Sequence, residues 1–313
     1  MTLKKTVSVV IPAFNSEASL PLLLERLAPV LSSLGNPFEV IVVDDGSVDG
    51  SGSILRQLST RYPWLLSITL GRNFGQHNAL LCGIRSARHD VIVTLDDDLQ
   101  NPPEEIPKLL ACLDEGYDVV YGVPQQRHYT LMRGLATALT KWALRITMRL
   151  KIAPQISAFR AFRTPLRDSF SNFNSPYVSI DVLLSWGTTR FGAVPVRHDP
   201  RVHGASQYTL RKLFAHTLNI MAGFSVFPLR LAATLGLCLS GLGALTLIYV
   251  VARYFMSHGS VPGFPFLASI IAIFSGAQLF ALGVLGEYLA RVYLSTMGRP
   301  AYSVNIAQQN DHV

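Results

Sequence analysis

The sequence predicts an α/β fold with a mostly parallel sheet, followed by a short membrane-embedded region. Three observations carry that expectation. Over the first 120 residues, short β-branched runs alternate with helix-periodic segments, the pattern of a parallel sheet covered on both faces. A polar cluster follows each of the first four runs, where such sheets bind ligands. Finally, no charged residue occurs from Leu231 to Ala252, and between Tyr254 and Gly286 only His258 can carry charge.

The predicted strands are Val7 to Ile11, Glu39 to Val43, Leu65 to Leu70, Val91 to Leu95 and Val119 to Tyr121. Leu20, Leu23, Leu24, Leu27 and Leu31 share one face of the helix expected after the first strand. The polar clusters are Pro12 to Glu17, Asp44 to Ser47, Gly71 to Gly75 and Asp96 to Gln100.

Farther on, Leu210, Leu213, Phe214, Leu218 and Met221 form an apolar helical stripe, with Arg211, Lys212 and His216 off it. That pattern fits a helix lying in a membrane interface, and equally an amphipathic core helix. The two uncharged stretches are long enough to cross a bilayer, which takes about 20 apolar residues. Arg211, Lys212 and Arg230 precede the first span, and Arg291 and Arg299 follow the second. The positive-inside bias then places both flanks and the N-terminal domain in the cytoplasm, with Arg253 dissenting at the far end unless it snorkels to the headgroups. The expected organisation is a domain over 1–207, an interface helix over 208–227, a two-helix membrane region over 228–290 and a cytoplasmic tail over 291–313.

Composition narrows the function classes. Charged residues make up 15% of the chain and apolar residues 49%. The net charge of +7 comes from scattered basic residues, several beside the apolar spans, so membrane topology explains it better than nucleic acid does. Cys82, Cys112 and Cys238 are widely spaced, which argues against a zinc site or a disulfide framework. The start, Met-Thr-Leu-Lys-Lys followed by Val7 to Ile11 and Pro12, lacks the pattern of a cleaved signal peptide.

Asp96, Asp97 and Asp98 place three carboxylates in one turn, a costly arrangement unless a cation compensates it. Hard oxygen ligands suit Mg2+ or Mn2+, and Mg2+ commonly takes one or two carboxylates together with water and substrate phosphates. A solvated acidic turn capping a helix that starts near Pro103 gives the same triplet. Asp44-Asp45-Gly46-Ser47 offers acceptors to a nucleobase or ribose, and is also an ordinary Asp-Gly turn.

Taken together, these motifs resemble the family 2 glycosyltransferases of GT-A fold, and more narrowly those acting on polyprenyl phosphates, including the undecaprenyl-phosphate aminoarabinose and glucose transferases. The matching residues are Val10 to Asn15, Val43 to Ser47, Arg72 to Gly75, Leu95 to Glu105, Phe159-Arg160, Arg201 to Ser206 and Gly283 to Tyr288. The resemblance implies that Pro12, Ala13, Phe14, Glu17 and Asp44 hold the nucleoside, with Asp45 close by. It implies that Asp96, Asp98 and Gln100 hold metal and diphosphate, with Asp97 beside them. Arg201 would close over the donor diphosphate, and Arg127 and Arg133 would take the acceptor phosphate.

The implied reaction transfers a sugar from a nucleoside-diphosphate sugar to a polyprenyl phosphate, expected to be undecaprenyl phosphate, at the cytoplasmic face of the inner membrane, by a homo-oligomer with both termini cytoplasmic. Two positions depart from the family pattern: Pro154-Gln155-Ile156-Ser157 stands where many relatives carry an acid, and Gln207 where they carry Lys. A processive polysaccharide synthase shares the fold and the acidic motif, but the Gln-x-x-Arg-Trp motif and the additional spans of those enzymes are missing. A non-catalytic membrane scaffold is the alternative from another class, and the intact Asp44, Asp45, Asp96, Asp98, Gln100 and Arg201 weigh against it.

Overall fold

The computed structural model describes residues 5–125, 155–200, 221, 223–257 and 263–305. The chain divides into two compact units, one of Met1–Thr217 with Gly298–Val313 and one of Leu218–Met297.

The first unit is built on a seven-stranded sheet: β1 (Val7–Ala13), β2 (Phe38–Asp44), β3 (Leu65–Thr69), β4 (Val91–Thr94), β5 (Val119–Pro124), β6 (Arg160–Arg163) and β7 (Phe191–Val196), in the order β3-β2-β1-β4-β6-β5-β7. Every pairing is parallel except those of β6, which runs antiparallel to β4 and β5. The predicted mostly parallel α/β sheet is therefore what forms.

The helices are α1 (Leu20–Ser33), α2 (Ser51–Arg61), α3 (Gln76–Ser86), α4 (Ile106–Asp114) and α5 (Ile180–Gly187). All five stripe leucines of α1 are fully buried, and such burial contributes about 2 kcal/mol for each side chain. β1 is buried at every residue, as a strand covered on both faces must be. Near Pro103 the chain first makes a short 3-10 turn, Pro103–Glu105, before α4 begins.

The chain returns to this unit at residue 298. Val304 bridges Leu70 in antiparallel fashion, Gly71 N–H donates to Ser303 O at 2.8 Å, and Asn305 N–H donates to Thr69 O at 2.8 Å. The tail thus covers the free edge of β3. Asn78 Nδ2 also donates to Ala301 O at 2.5 Å, and Ala301 is buried.

The second unit contains α6 (Phe227–Ser257) and α7 (Phe264–Thr296). Phe227–Arg253 and Ile273–Thr296, 27 and 24 residues, are long and apolar enough to cross a membrane. At 1.5 Å per residue both exceed the roughly 30 Å of a bilayer core. Leu237, Leu245, Ile248, Phe280 and Leu289 are exposed on them, while the Phe274 ring packs against Gly243 where the helices meet. The stripe from Leu210 to Leu218 and the link around His258 lie outside the described residues.

Candidate active site

Strand order reverses beside β1, which pairs with β2 on one side and with β4 on the other. The crevice at such a switch point opens at the carboxyl ends of the strands. Residues 12–17, 44–47 and 96–100 leave β1, β2 and β4 there, and residues 71–75 follow β3.

Hydrogen bonds stitch these loops together. Asp45 N–H donates to Ala13 O at 2.8 Å, Asn15 N–H to Ser47 Oγ at 2.9 Å and Val48 N–H to Asn15 Oδ1 at 3.0 Å. Asp44 is buried, and its Oδ1 accepts the Ser47 N–H at 2.9 Å. Pro12 and Ala13 are buried at the floor, whereas Phe14 and Glu17 are exposed. One Glu17 oxygen accepts the Gly50 N–H at 3.0 Å.

Asp45 reaches the other way, into the loop after β3. Its two oxygens accept the Phe74 N–H at 2.7 Å and the Gly75 N–H at 2.8 Å. Burial raises its pKa above the ordinary carboxylate value, against the pull of those two donors. Asp45 therefore holds the Gly71–Gly75 loop, with the Arg72 guanidinium stacked 4.5 Å from the Phe74 ring centroid.

The three acidic residues after β4 divide their tasks. Asp97 turns inward to accept the Ser16 hydroxyl, and burial raises its pKa. Asp96 Oδ1 accepts Gln76 Nε2 at 2.6 Å, and Asp98 Oδ1 accepts the Gln100 N–H at 3.1 Å. Leu99, at φ 61°, makes the tight turn between them and buries its side chain. Gln100 O accepts the Asp199 N–H at 2.8 Å, which ties the segment leading to Arg201 to this turn.

Among the described residues, no group of three or more His, Cys, Asp or Glu side chains forms a closed metal site. Asp96, Asp98 and Gln100 fit a more open one. They offer only oxygen donors at the mouth of a crevice, as a cation that shares its coordination with water and diphosphate requires. Arg127, Arg133, Gln155, Arg201 and Gln207 were also singled out by the sequence; of these only Gln155 is among the described residues. Pattern reading gave no role to Ser16, inside the Pro12 to Glu17 cluster, or to Arg160, inside the Phe159-Arg160 motif, and it missed Gln76 and Asp181; only the position of Gln76 at the first turn of α3, next to the Gly71–Gly75 cluster, offered a signal.

Residues 8–155 match the family model for Glycosyl transferase family 2. Among solved structures, the chain is similar to glucosyl-3-phosphoglycerate synthase from Mycobacterium tuberculosis in complex with Mn2+, UDP and phosphoglyceric acid, at 23% identity and a TM-score of 0.51, over 70% of this chain and 76% of that one. The same synthase with Mn2+ and UDP-glucose aligns at 22% identity and a TM-score of 0.50, over 70% and 77%. These likenesses show the fold, and the family match attaches a chemistry to one part of it: residues 8–155 are similar to the family 2 glycosyltransferases.

Proposed function

We propose that the protein transfers a sugar from a nucleoside-diphosphate sugar to a polyprenyl phosphate, with inversion, at the cytoplasmic face of a membrane in which α6 and α7 anchor it. The observation that carries this reading is the division of labour after β4: Asp97 is spent on Ser16, while Asp96 and Asp98 stay at the crevice mouth beside the loops that would hold a nucleoside. The two long apolar helices support a lipid acceptor over a soluble one.

In this reading Pro12, Ala13, Phe14, Glu17 and Asp44 bind the nucleoside. Asp45 acts indirectly, by fixing the loop from Gly71 to Gly75. Asp96, Asp98 and Gln100 would hold Mg2+ or Mn2+, which when bound offsets the charge on a departing nucleoside diphosphate. Arg201 orients that diphosphate, and Arg127 and Arg133 orient the acceptor, because a planar fork of donors suits phosphate oxygens.

An oxygen of the lipid phosphate forms the new bond to the anomeric carbon, and the bond from that carbon to the diphosphate breaks with its electron pair leaving on the nucleotide. A phosphate monoester has a second pKa of about 6. Its attacking oxygen is therefore largely ionised at neutral pH, and the site must align it more than deprotonate it. That requirement accommodates Gln155 in a region where relatives carry an acid.

Asp98→Asn should abolish transfer while the protein stays folded and membrane-bound. The assay incubates membranes with radiolabelled nucleotide-sugars and undecaprenyl phosphate and follows label into the organic phase. Full activity of that variant would sink the metal-site assignment. Metal-dependent protection of the purified protein by a nucleoside diphosphate against heat is expected of a transferase and not of a scaffold.

A further inference from the structure

The Gly71–Gly75 loop is held at both ends, and one of its holders is the far end of the chain. On the β2 side, Leu70 N–H donates to Asp44 O at 2.8 Å. On the other side, Gly71 N–H donates to Ser303 O and Asn305 N–H to Thr69 O, both at 2.8 Å, flanking the Leu70–Val304 pair. Among the described residues this pairing is confined to Thr69, Leu70 and Gly71, the end of the sheet edge that feeds the loop. The loop starts beside this short antiparallel segment and finishes at Phe74 and Gly75, whose amides Asp45 takes.

Such a loop needs anchors outside itself. Glycine stands at both of its ends, with Gly75 at φ +99°, and glycine loses more backbone freedom on ordering than any other residue. A Cβ added at Gly71 would lie 3.2 Å from Ser303 Oγ, so the glycine also lets the tail approach closely. The tail has fastenings of its own. Ala301 is buried, and its carbonyl accepts Asn78 Nδ2 at 2.5 Å, while the same amide group donates to Pro176 O at 3.2 Å. Asn78 is itself buried in the first turn of α3, directly downstream of Gly75. Farther along α3, the Arg85 guanidinium lies 5.8 Å from the Tyr302 ring centroid.

We infer that the segment Ala301–Asn305 is a positioning element for the nucleoside diphosphate: by pairing at the end of β3 it sets where the Gly71–Gly75 loop begins, as Asp45 sets where it ends. The inference rests on the nucleotide-site reading given above. A loop that occupies its binding geometry for only a fraction of the time binds with an affinity reduced by that fraction. Releasing the tail therefore weakens nucleotide binding without removing a group that touches the ligand.

Asn305→Pro deletes the N–H that bonds Thr69 O, whereas Asn305→Ala keeps it. The purified full-length parent and both variants are titrated calorimetrically with UDP, GDP and dTDP in the presence of Mn2+, and hydrogen exchange over residues 71–75 reports release of the loop. The diphosphate that the parent binds most tightly should bind Asn305→Pro about three- to tenfold more weakly, the worth of one net hydrogen bond. Exchange over 71–75 should quicken in that variant while exchange over α4 stays the same. Asn305→Ala should keep an affinity within about twofold of the parent's, since the ladder bond survives.

Tyr302→Ala removes the Arg85 contact, leaves the backbone donors in place and carries the test if Asn305→Pro does not fold. A folded variant that exchanges faster over 71–75 yet binds as tightly as the parent overturns the inference. Equal weakening in Asn305→Ala and Asn305→Pro overturns it too, as does parental exchange over 71–75 in both Asn305→Pro and Tyr302→Ala. Failure of the parent to bind any of the three diphosphates refutes the nucleotide-site reading and the inference with it, a result distinguishable from failure at the tail.

Discussion

Gly46→Ala tests whether the two loops flanking the proposed nucleoside site must touch. Gly46 has φ +69°, and a Cβ placed there would lie 2.5 Å from the Arg72 carbonyl carbon and 2.7 Å from Asn73 N. Both neighbours are backbone, so ordinary contact at 3.4 Å requires the loops to separate by about 0.9 Å, the difference between 3.4 and 2.5. The left-handed conformation costs about 1–2 kcal/mol for alanine, and overpacking against backbone adds about 1–3 kcal/mol. Gly35 supplies the control, having φ +64° with nothing within 4 Å of its added Cβ, so Gly35→Ala carries the conformational cost alone.

Thermal unfolding of the purified full-length protein, with and without UDP and Mn2+, separates these contributions. Gly46→Ala should melt several degrees below Gly35→Ala, at about 2–4 °C for each kcal/mol in a protein of this size. It should also lose most of the ligand-induced rise in melting temperature, which Gly35→Ala keeps. Coincident melting of the two variants, with the full ligand response in both, would refute the claim that contact between these loops shapes the site.

Three further substitutions probe the same fold. Asp45→Ala deprives the Phe74 and Gly75 amides of their acceptor and should cost about 2–6 kcal/mol in urea unfolding, with Asp45→Asn recovering about half, since each orphaned donor costs about 1–3 kcal/mol. Gly83→Ala brings a Cβ to 2.4 Å from Val10 Cγ1 where α3 packs on the sheet, so its urea midpoint should fall by the equivalent of about 1–3 kcal/mol. Hydrogen bonds from Arg190 and Thr188 and their charge environment hold the Asp118 pKa below the ordinary value. The stabilisation is complete above the unfolded-state pKa of about 4 and disappears as pH falls through the lower native value. Asp118→Asn should therefore be less stable than the parent at neutral pH, with the gap closing in acid.

The alternating runs were legible because strands buried on both faces must be continuously apolar. Each of the five predicted strands coincides with β1 to β5, within a few residues at either end. β6 and β7 escaped notice for opposite reasons. Arg160-Ala161-Phe162-Arg163 carries two arginines, one of which is buried only because Asp181 neutralises it, and Phe191 to Val196 is interrupted by Gly192 and Pro195. At the site, Asp96 and Asp98 were readable as an acidic motif, but nothing in the triplet distinguishes the inward Asp97 from its neighbours. That assignment depends on Ser16, 81 positions away. Likewise Asp45 looks like one more nucleoside ligand until its bonds to the loop after β3 are seen.

The strand pairing between Val304 and Leu70 makes the transferase domain discontinuous in sequence, with the apolar helices inserted into it before its last segment. A polypeptide that must finish folding where it began cannot leave its end across a bilayer. Any crossing made by α6 must therefore be undone by α7, whatever the basic residues at their ends dictate. Cutting the chain near residue 207 to obtain a soluble enzyme would remove the segment that covers β3, exposing unpaired amides and carbonyls to self-association. The pair of apolar helices and the closure of the sheet are inherited together.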